Sequence, residues 1–195
     1  MYYTTDFGLT YHTFSQCTLQ KGLMTDKCVK SMFLKSIKET QETLNFDLVA
    51  YVILDNHFHL IIKTKKNEAS ISRIMKDIKY KFTRKYNGKF NTQGTTWSKR
   101  YGKTIIEESI DPDRYFKWLI AYLAFNPVRK NAVVDPRKYS FSSINTFFIP
   151  GFTPELKITP HEIFLSSGVD LNERIKEFLK FEEIYKETLF LQGRV

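Results

Sequence analysis

A chain of 195 residues with 42% apolar content can bury a single core and needs no second large domain to account for its length. With 30 Lys and Arg against 21 Asp and Glu the formal charge is +9, which points to an anionic partner, nucleic acid first; 17 Phe and 11 Tyr suit both core packing and base stacking. Cys17 and Cys28 make neither a disulfide framework nor a spaced metal motif, no apolar run approaches membrane-spanning length, and Met1-Tyr2-Tyr3-Thr4-Thr5-Asp6 has no basic region followed by a cleavage site, so a soluble cytoplasmic protein without a membrane partner is expected.

Leu9 to Leu19 reads as a first strand, punctuated by Gly22, with His12 in it as a structural or rim histidine. From Thr25 to Leu44 the residues Val29, Met32, Phe33, Ile37 and Leu44 recur near helical spacing, which predicts an amphipathic helix capped by Thr25 or Asp26 and covering one face of a sheet. The runs Leu48 to Leu54 and Leu60 to Ile62 then predict a hairpin with Asp55-Asn56 at its turn. Residues two apart on a strand share a face, so His57 and His59 present their imidazoles side by side while Phe58 points into the opposite layer. Such a pair is either a metal site or two ordinary, partly buried histidines, and the residues alone leave both readings open.

Ser70 to Tyr86 predicts a second helix with Ile71, Ile74, Met75, Ile78 and Phe82 on its apolar stripe. Residues 63 to 103 hold 13 Lys or Arg against Glu68 and Asp77, and the polar, Gly-rich segment Asn87 to Gly94 leads into Trp97-Ser98-Lys99-Arg100-Tyr101. Bases interleaved with aromatics suit a groove that tracks a phosphate backbone and stacks bases; Arg73, Lys76, Lys79, Arg84, Trp97, Lys99 and Arg100 are its candidate DNA-binding residues. A solvated helix face, or a mobile loop over a site, is the plainer alternative. Thr104 to Glu108 reads as a short strand.

Asp111-Pro112 starts a helix, with Phe116, Leu119, Ile120 and Leu123 on its buried stripe and Trp118 and Tyr122 on another face. Tyr122 and Asn126 lie one above the other if the helix persists that far, whereas Pro127 disfavours helical geometry at Asn126. Tyr139 to Ser143 reads as a turn or short helix closing the domain. Beyond it, Pro150, Gly151 and Pro154 mark a linker, Thr159-Pro160-His161-Glu162 opens a short helix with His161 at the surface, and Asn172 to Leu191 forms a charged helix packing through Ile175, Phe178, Leu179 and Ile184. The expected division is a catalytic domain over 1–145 and a linker with a helical extension over 146–195.

Taken together, Tyr11-His12, the segment Ala50 to Leu60 with its Asn56-His57-Phe58-His59, the Trp97 to Tyr101 segment, Tyr122-Leu123-Ala124-Phe125-Asn126-Pro127-Val128-Arg129 and the Tyr139 to Ser143 element resemble the HUH-type tyrosine transposases of single-stranded DNA. The resemblance is closest to their REP-associated tyrosine transposase, or transposase-17, branch. It implies an α+β, ferredoxin-like antiparallel sheet with helices packed on one face, followed here by a C-terminal helical extension. It also implies that His57, His59 and Asn126 bind a divalent ion, Mg²⁺ or Mn²⁺, and that Tyr122 is the nucleophile, with Tyr115 the fallback. The implied reaction is cleavage and rejoining of single-stranded DNA near a hairpin through a 5′-phosphotyrosine. Asp55 departs from the pattern, since relatives commonly carry proline there. A non-catalytic hairpin-binding regulator and a metal-dependent phosphodiesterase using water are the rival readings, and monomer against homodimer stays open.

Overall fold

A computed structural model describes residues 8–18 and 22–192; the opening hexapeptide and Leu19, the expected end of the first strand, lie outside them. The elements in chain order are β1 (Thr10–Gln16), α1 (Lys27–Thr43), β2 (Asp47–Ile53), β3 (His57–Lys63), α2 (Ile71–Phe90), β4 (Gly102–Ile105), α3 (Pro112–Arg129), α4 (Glu162–Ser166) and α5 (Leu171–Leu191). Short 3₁₀ turns stand at Pro136–Lys138 and Ile144–Phe147. The four strands form one antiparallel sheet in the order β2-β3-β1-β4, and the succession β1-α1-β2-β3-α2-β4 is the ferredoxin-like arrangement. No helix among the described residues is long and apolar enough to cross a membrane.

Local chemistry sets the helix starts. The side chains of Asp26, Ser70, Asp111 and Asp170 each accept a hydrogen bond from a backbone N–H of the first turn that follows them. α2 runs on to Phe90 and takes up Asn87 and Gly88, which were expected in a loop. The rings of Tyr86 and Phe90, one turn apart, meet at 4.6 Å, and Asn91 closes the helix in the left-handed region at φ 50°. α3 likewise continues through Pro127 to Arg129. Proline removes one backbone hydrogen bond, but Leu123, Ala124, Phe125, Asn126 and Pro127 are all buried, and that packing outweighs the local preference.

The described residues group into two compact units, one holding the chain up to Leu48 with Ile53–Glu107, the other holding Val49–Val52 with the chain from Glu108 onward. Glu107 closes the first of these units and Glu108 opens the longer stretch of the second. In the first unit α1 and α2 cover one face of the sheet. Phe33 of α1 meets Phe58 at 4.6 Å and Phe82 of α2 edge-on at 5.3 Å, and Trp97 joins all three within 5.6 Å. Phe58 thus points to the helices, as strand alternation requires, and His57 and His59 lie on the other face.

In the second unit, Phe116, Phe147, Phe164 and Phe178 build an aromatic core with ring centroids 5.1 to 6.3 Å apart. Tyr51 donates its backbone N–H to Ser143 Oγ at 2.8 Å, and its carbonyl accepts from Ser143 N at 3.0 Å and Ser142 Oγ at 3.2 Å. The Tyr139 to Ser143 element therefore straps the outer side of β2 rather than adding a helix. α5 packs through Ile175, Phe178, Glu182, Tyr185 and Leu189, a stripe of alternating three- and four-residue steps, whereas Ile184, expected on that face, is exposed. Sequence patterning rejects Glu182 from a packing face because it is charged; Arg137 supplies the counter-charge through two hydrogen bonds of 2.6 and 2.5 Å. Arg137→Ala leaves that buried carboxylate unpaired and should lower stability by about 3 kcal/mol, read as a shift of the urea midpoint. Arg137→Leu combined with Glu182→Leu should recover most of the loss.

Candidate active site

β1 and β3 pair antiparallel with Phe14 opposite His59, Gln16 opposite His57 and His12 opposite Ile61, so His12, Phe14, His57 and His59 share one sheet face. The His57 and His59 rings meet edge-on at 5.3 Å. His12 stacks on His59 at 5.2 Å, and His12 Nε2 lies 2.9 Å from His59 Nδ1, within one hydrogen bond. His57 Nδ1 lies 2.6 Å from Asn56 Oδ1. Both expected ligands therefore have Nδ1 engaged by a neighbour, which fixes ring orientation and is the usual arrangement when Nε2 is the metal-binding nitrogen. Burial holds His12 well below the ordinary imidazole range, at about 4, so it remains neutral and fit to accept from His59. The strand register identifies this partner; His-x-His spacing alone does not.

The turn carrying Asn56 and His57 is tied down from three sides. Cys17 N donates to Asn56 O at 2.8 Å, Met24 N donates to Asp55 O at 2.7 Å, and Lys30 Nζ lies 2.6 Å from Asp55 Oδ1. The Asp55 carboxylate is thus directed at α1, where it anchors the turn. Cys17 is buried and its thiol is pushed up to about 12 by that burial, so it stays protonated and inert.

The basic residues separate into groups. Lys76, Lys79 and Arg100, joined by Lys103, Ser72 and Tyr101, line a cleft of about 670 Å³. Arg73, Arg84 and Lys99 are exposed outside that lining, with Arg84 lying over the Tyr80 ring at 5.8 Å. Trp97, expected to stack on DNA, instead lies buried among Phe33, Phe58 and Phe82, with Nε1 donating to Lys79 O at 3.2 Å. An aromatic next to lysines reads alike whether it lines a groove or fills a core; the long-range contacts decide.

In the second unit Tyr122 and Asn126 follow one another by a turn of α3, so the helix presents both on one side. Tyr122 is half-buried, with Tyr185 of α5 edge-on at 6.4 Å and the Arg129 guanidinium over its ring at 5.7 Å. Asn126 is 3% exposed. The aromatic wall from α5 also touches Trp118 at 5.0 Å and Phe125 at 5.9 Å. His161, expected at the surface, is buried: its ring stacks on Phe116 at 4.5 Å and its Nδ1 accepts from Ile163 N, capping α4.

The model of the family described as "Transposase IS200 like" matches residues 5–116, more than half of the chain. The chain belongs to the IS200-like transposase family. Its class is accordingly that of the DNA transposases. This IS200-like transposase is 26% identical over 176 residues to a Haemophilus influenzae protein assigned as a REP-associated tyrosine transposase, an alignment spanning 80% of this chain and 96% of the relative. Its fold matches that of a REP-associated tyrosine transposase solved bound to a REP hairpin, with a TM-score of 0.64 at 20% identity over 84% of this chain and 93% of the other.

Proposed function

We propose that this IS200-like transposase cleaves and rejoins single-stranded DNA beside a hairpin through a 5′-phosphotyrosine on Tyr122. The observation that carries this reading is the same-face pair His57 and His59, each with its Nδ1 engaged by a neighbour, in a chain of this family. Neutral imidazoles with a carboxamide oxygen form a donor set that accepts a divalent ion, so His57, His59 and Asn126 are its ligands, with Mg²⁺ or Mn²⁺ as the ion. When bound, such an ion supplies Lewis-acid polarisation of the scissile phosphate. That the REP-associated tyrosine transposase of matching fold was solved bound to a REP hairpin supports hairpin DNA as the partner.

In the step itself, the Tyr122 phenolic oxygen attacks phosphorus and the bond from phosphorus to the 3′ oxygen breaks. A tyrosine phosphodiester to the 5′ side and a free 3′-hydroxyl result, and the phenolic proton ends on the departing oxygen. Rejoining is the reverse attack by a 3′-hydroxyl. Bond types are conserved in the exchange, so no nucleotide cofactor is required. His12 holds His59 in place, and Asn56 does the same for His57.

The test is incubation of the full chain with end-labelled single-stranded DNA carrying an imperfect hairpin, with Mn²⁺, followed by a denaturing gel and peptide mass mapping. A covalent protein–DNA species with its adduct on the Tyr122 peptide is expected. Cleavage without any adduct would assign the reaction to water, and binding without cleavage would assign the chain to the regulators.

A further inference from the structure

We infer that the DNA strand crosses the β4 edge of the sheet at Gly102, with its phosphates in the Lys76, Lys79, Arg100 and Lys103 cleft on the helix-covered side and a base stacked on Phe14 beside the histidines. This rests on the DNA-cleaving reading given above and adds the path of the strand and the residues that hold it.

The sheet register separates the two contacts. Thr13 is opposite Lys103 and Phe14 is opposite Gly102, so Lys103 projects with Thr13 and Ser15 toward α2, whereas Phe14 projects with His12 and His59. Two contacts support the first side: Thr13 Oγ1 reaches Met75 Sδ of α2 at 3.4 Å, and Lys79 Nζ of α2 donates to Ser15 Oγ at 3.0 Å. The cleft and the histidines thus lie on opposite sides of a sheet whose margin is the four-residue β4.

The cleft's composition selects its occupant. Its lining holds three lysines and one arginine, the hydroxyls of Ser72 and Tyr101 and, among the described residues, no carboxylate. Ser72 Oγ and Tyr101 Oη meet at 3.0 Å, which joins α2 to the segment leading into β4 and sets the cleft's width. Lys79 is held by Ser15 Oγ and the Lys99 carbonyl, and burial lowers its pKa, so an ammonium is kept partly desolvated among like charges. A polyanion entering the cleft compensates that desolvated charge, and a backbone with consecutive phosphates meets several cations at once.

On the other side, Phe14 is 41% exposed although it lies in the middle of the sheet face. Its ring is 5.4 Å from His12 and 5.8 Å from His59. The tip of its ring lies over Gly102: a Cβ at that position would stand 2.3 Å from Phe14 Cζ. Glycine therefore lets the ring reach the margin, and an exposed aromatic in ring contact with His12 and His59 is a stacking platform for one base of a strand being cleaved there.

Two variants of the full chain test the path against the wild type. Lys76→Ala with Lys103→Ala removes two exposed cations and should raise the Kd for single-stranded hairpin DNA by about tenfold or more at low salt. It should also flatten the slope of log K against log salt by about 1.4, two phosphates' worth for a single strand. Phe14→Ala should weaken binding about fivefold or more, with an unchanged salt slope, and should abolish the quenching of 2-aminopurine placed next to the cleavage position. An unchanged slope in the first variant, or unchanged quenching in the second, overturns the path while DNA cleavage by the wild type still stands. If the wild type neither binds nor cleaves hairpin DNA, the functional reading falls and the path with it. Inorganic triphosphate is the control: a millimolar competitor that occupies the cleft of the wild type without loss of hairpin affinity would assign the cleft to free phosphates and overturn the strand path.

Discussion

His59→Ala, and separately His57→Ala, should depress strand cleavage by at least about 10³-fold, because losing the several kcal/mol that a metal-polarised phosphate contributes translates into that factor. Hairpin affinity should change by less than about threefold, since phosphate contacts along the basic surface, not the histidines, dominate binding to nucleic acid. The two measurements are single-turnover cleavage and an equilibrium titration at one salt concentration. Parallel losses in both would make the histidines a binding feature and sink their assignment as ligands. His12→Ala is the informative companion. It removes the 2.9 Å contact to His59 Nδ1 without removing a proposed ligand, so a partial loss of about 10- to 100-fold is expected, together with weaker Mn²⁺ binding.

Tyr122→Phe should remove the covalent species entirely while keeping the ring contacts with Tyr185 and Arg129. Tyr115→Phe should leave the covalent band intact. A band that survives in Tyr122→Phe and disappears in Tyr115→Phe would transfer the nucleophile two turns toward the start of α3. Tyr122→Phe should still bind DNA, so a gel-shift on the same preparation separates lost chemistry from lost folding.

Much of the sheet and its histidine pair was legible because strand alternation is local: Phe58 is apolar, its neighbours are not, and a period of two sends them to opposite faces. The helix starts were legible for the same reason, since Asp26, Ser70 and Asp111 cap through hydrogen bonds spanning two or three residues. Misreadings cluster where the deciding contact is far away in sequence. Trp97 is a core residue because of Phe33 and Phe58, and His161 is buried because of Phe116. Local preference at Asn126-Pro127 argued for a helix end, and burial of that last turn overrode it. Glu182 was invisible as a packing residue because its partner, Arg137, stands in a turn 45 residues earlier. The family match itself ends at residue 116, before Tyr122 and Asn126, so assignment to the family rests on the half of the chain that carries the histidines.

Ser142 and Ser143 occupy the backbone groups of Tyr51 on the outer side of β2, and this closes one margin of the sheet to strand addition by a second molecule. Of the described strands, β4 forms the other margin, four residues long, with Lys103 within it. Short length and a lysine are devices by which natural sheets keep their borders from zipping together. Edge-to-edge pairing of two copies through either margin is thereby disfavoured.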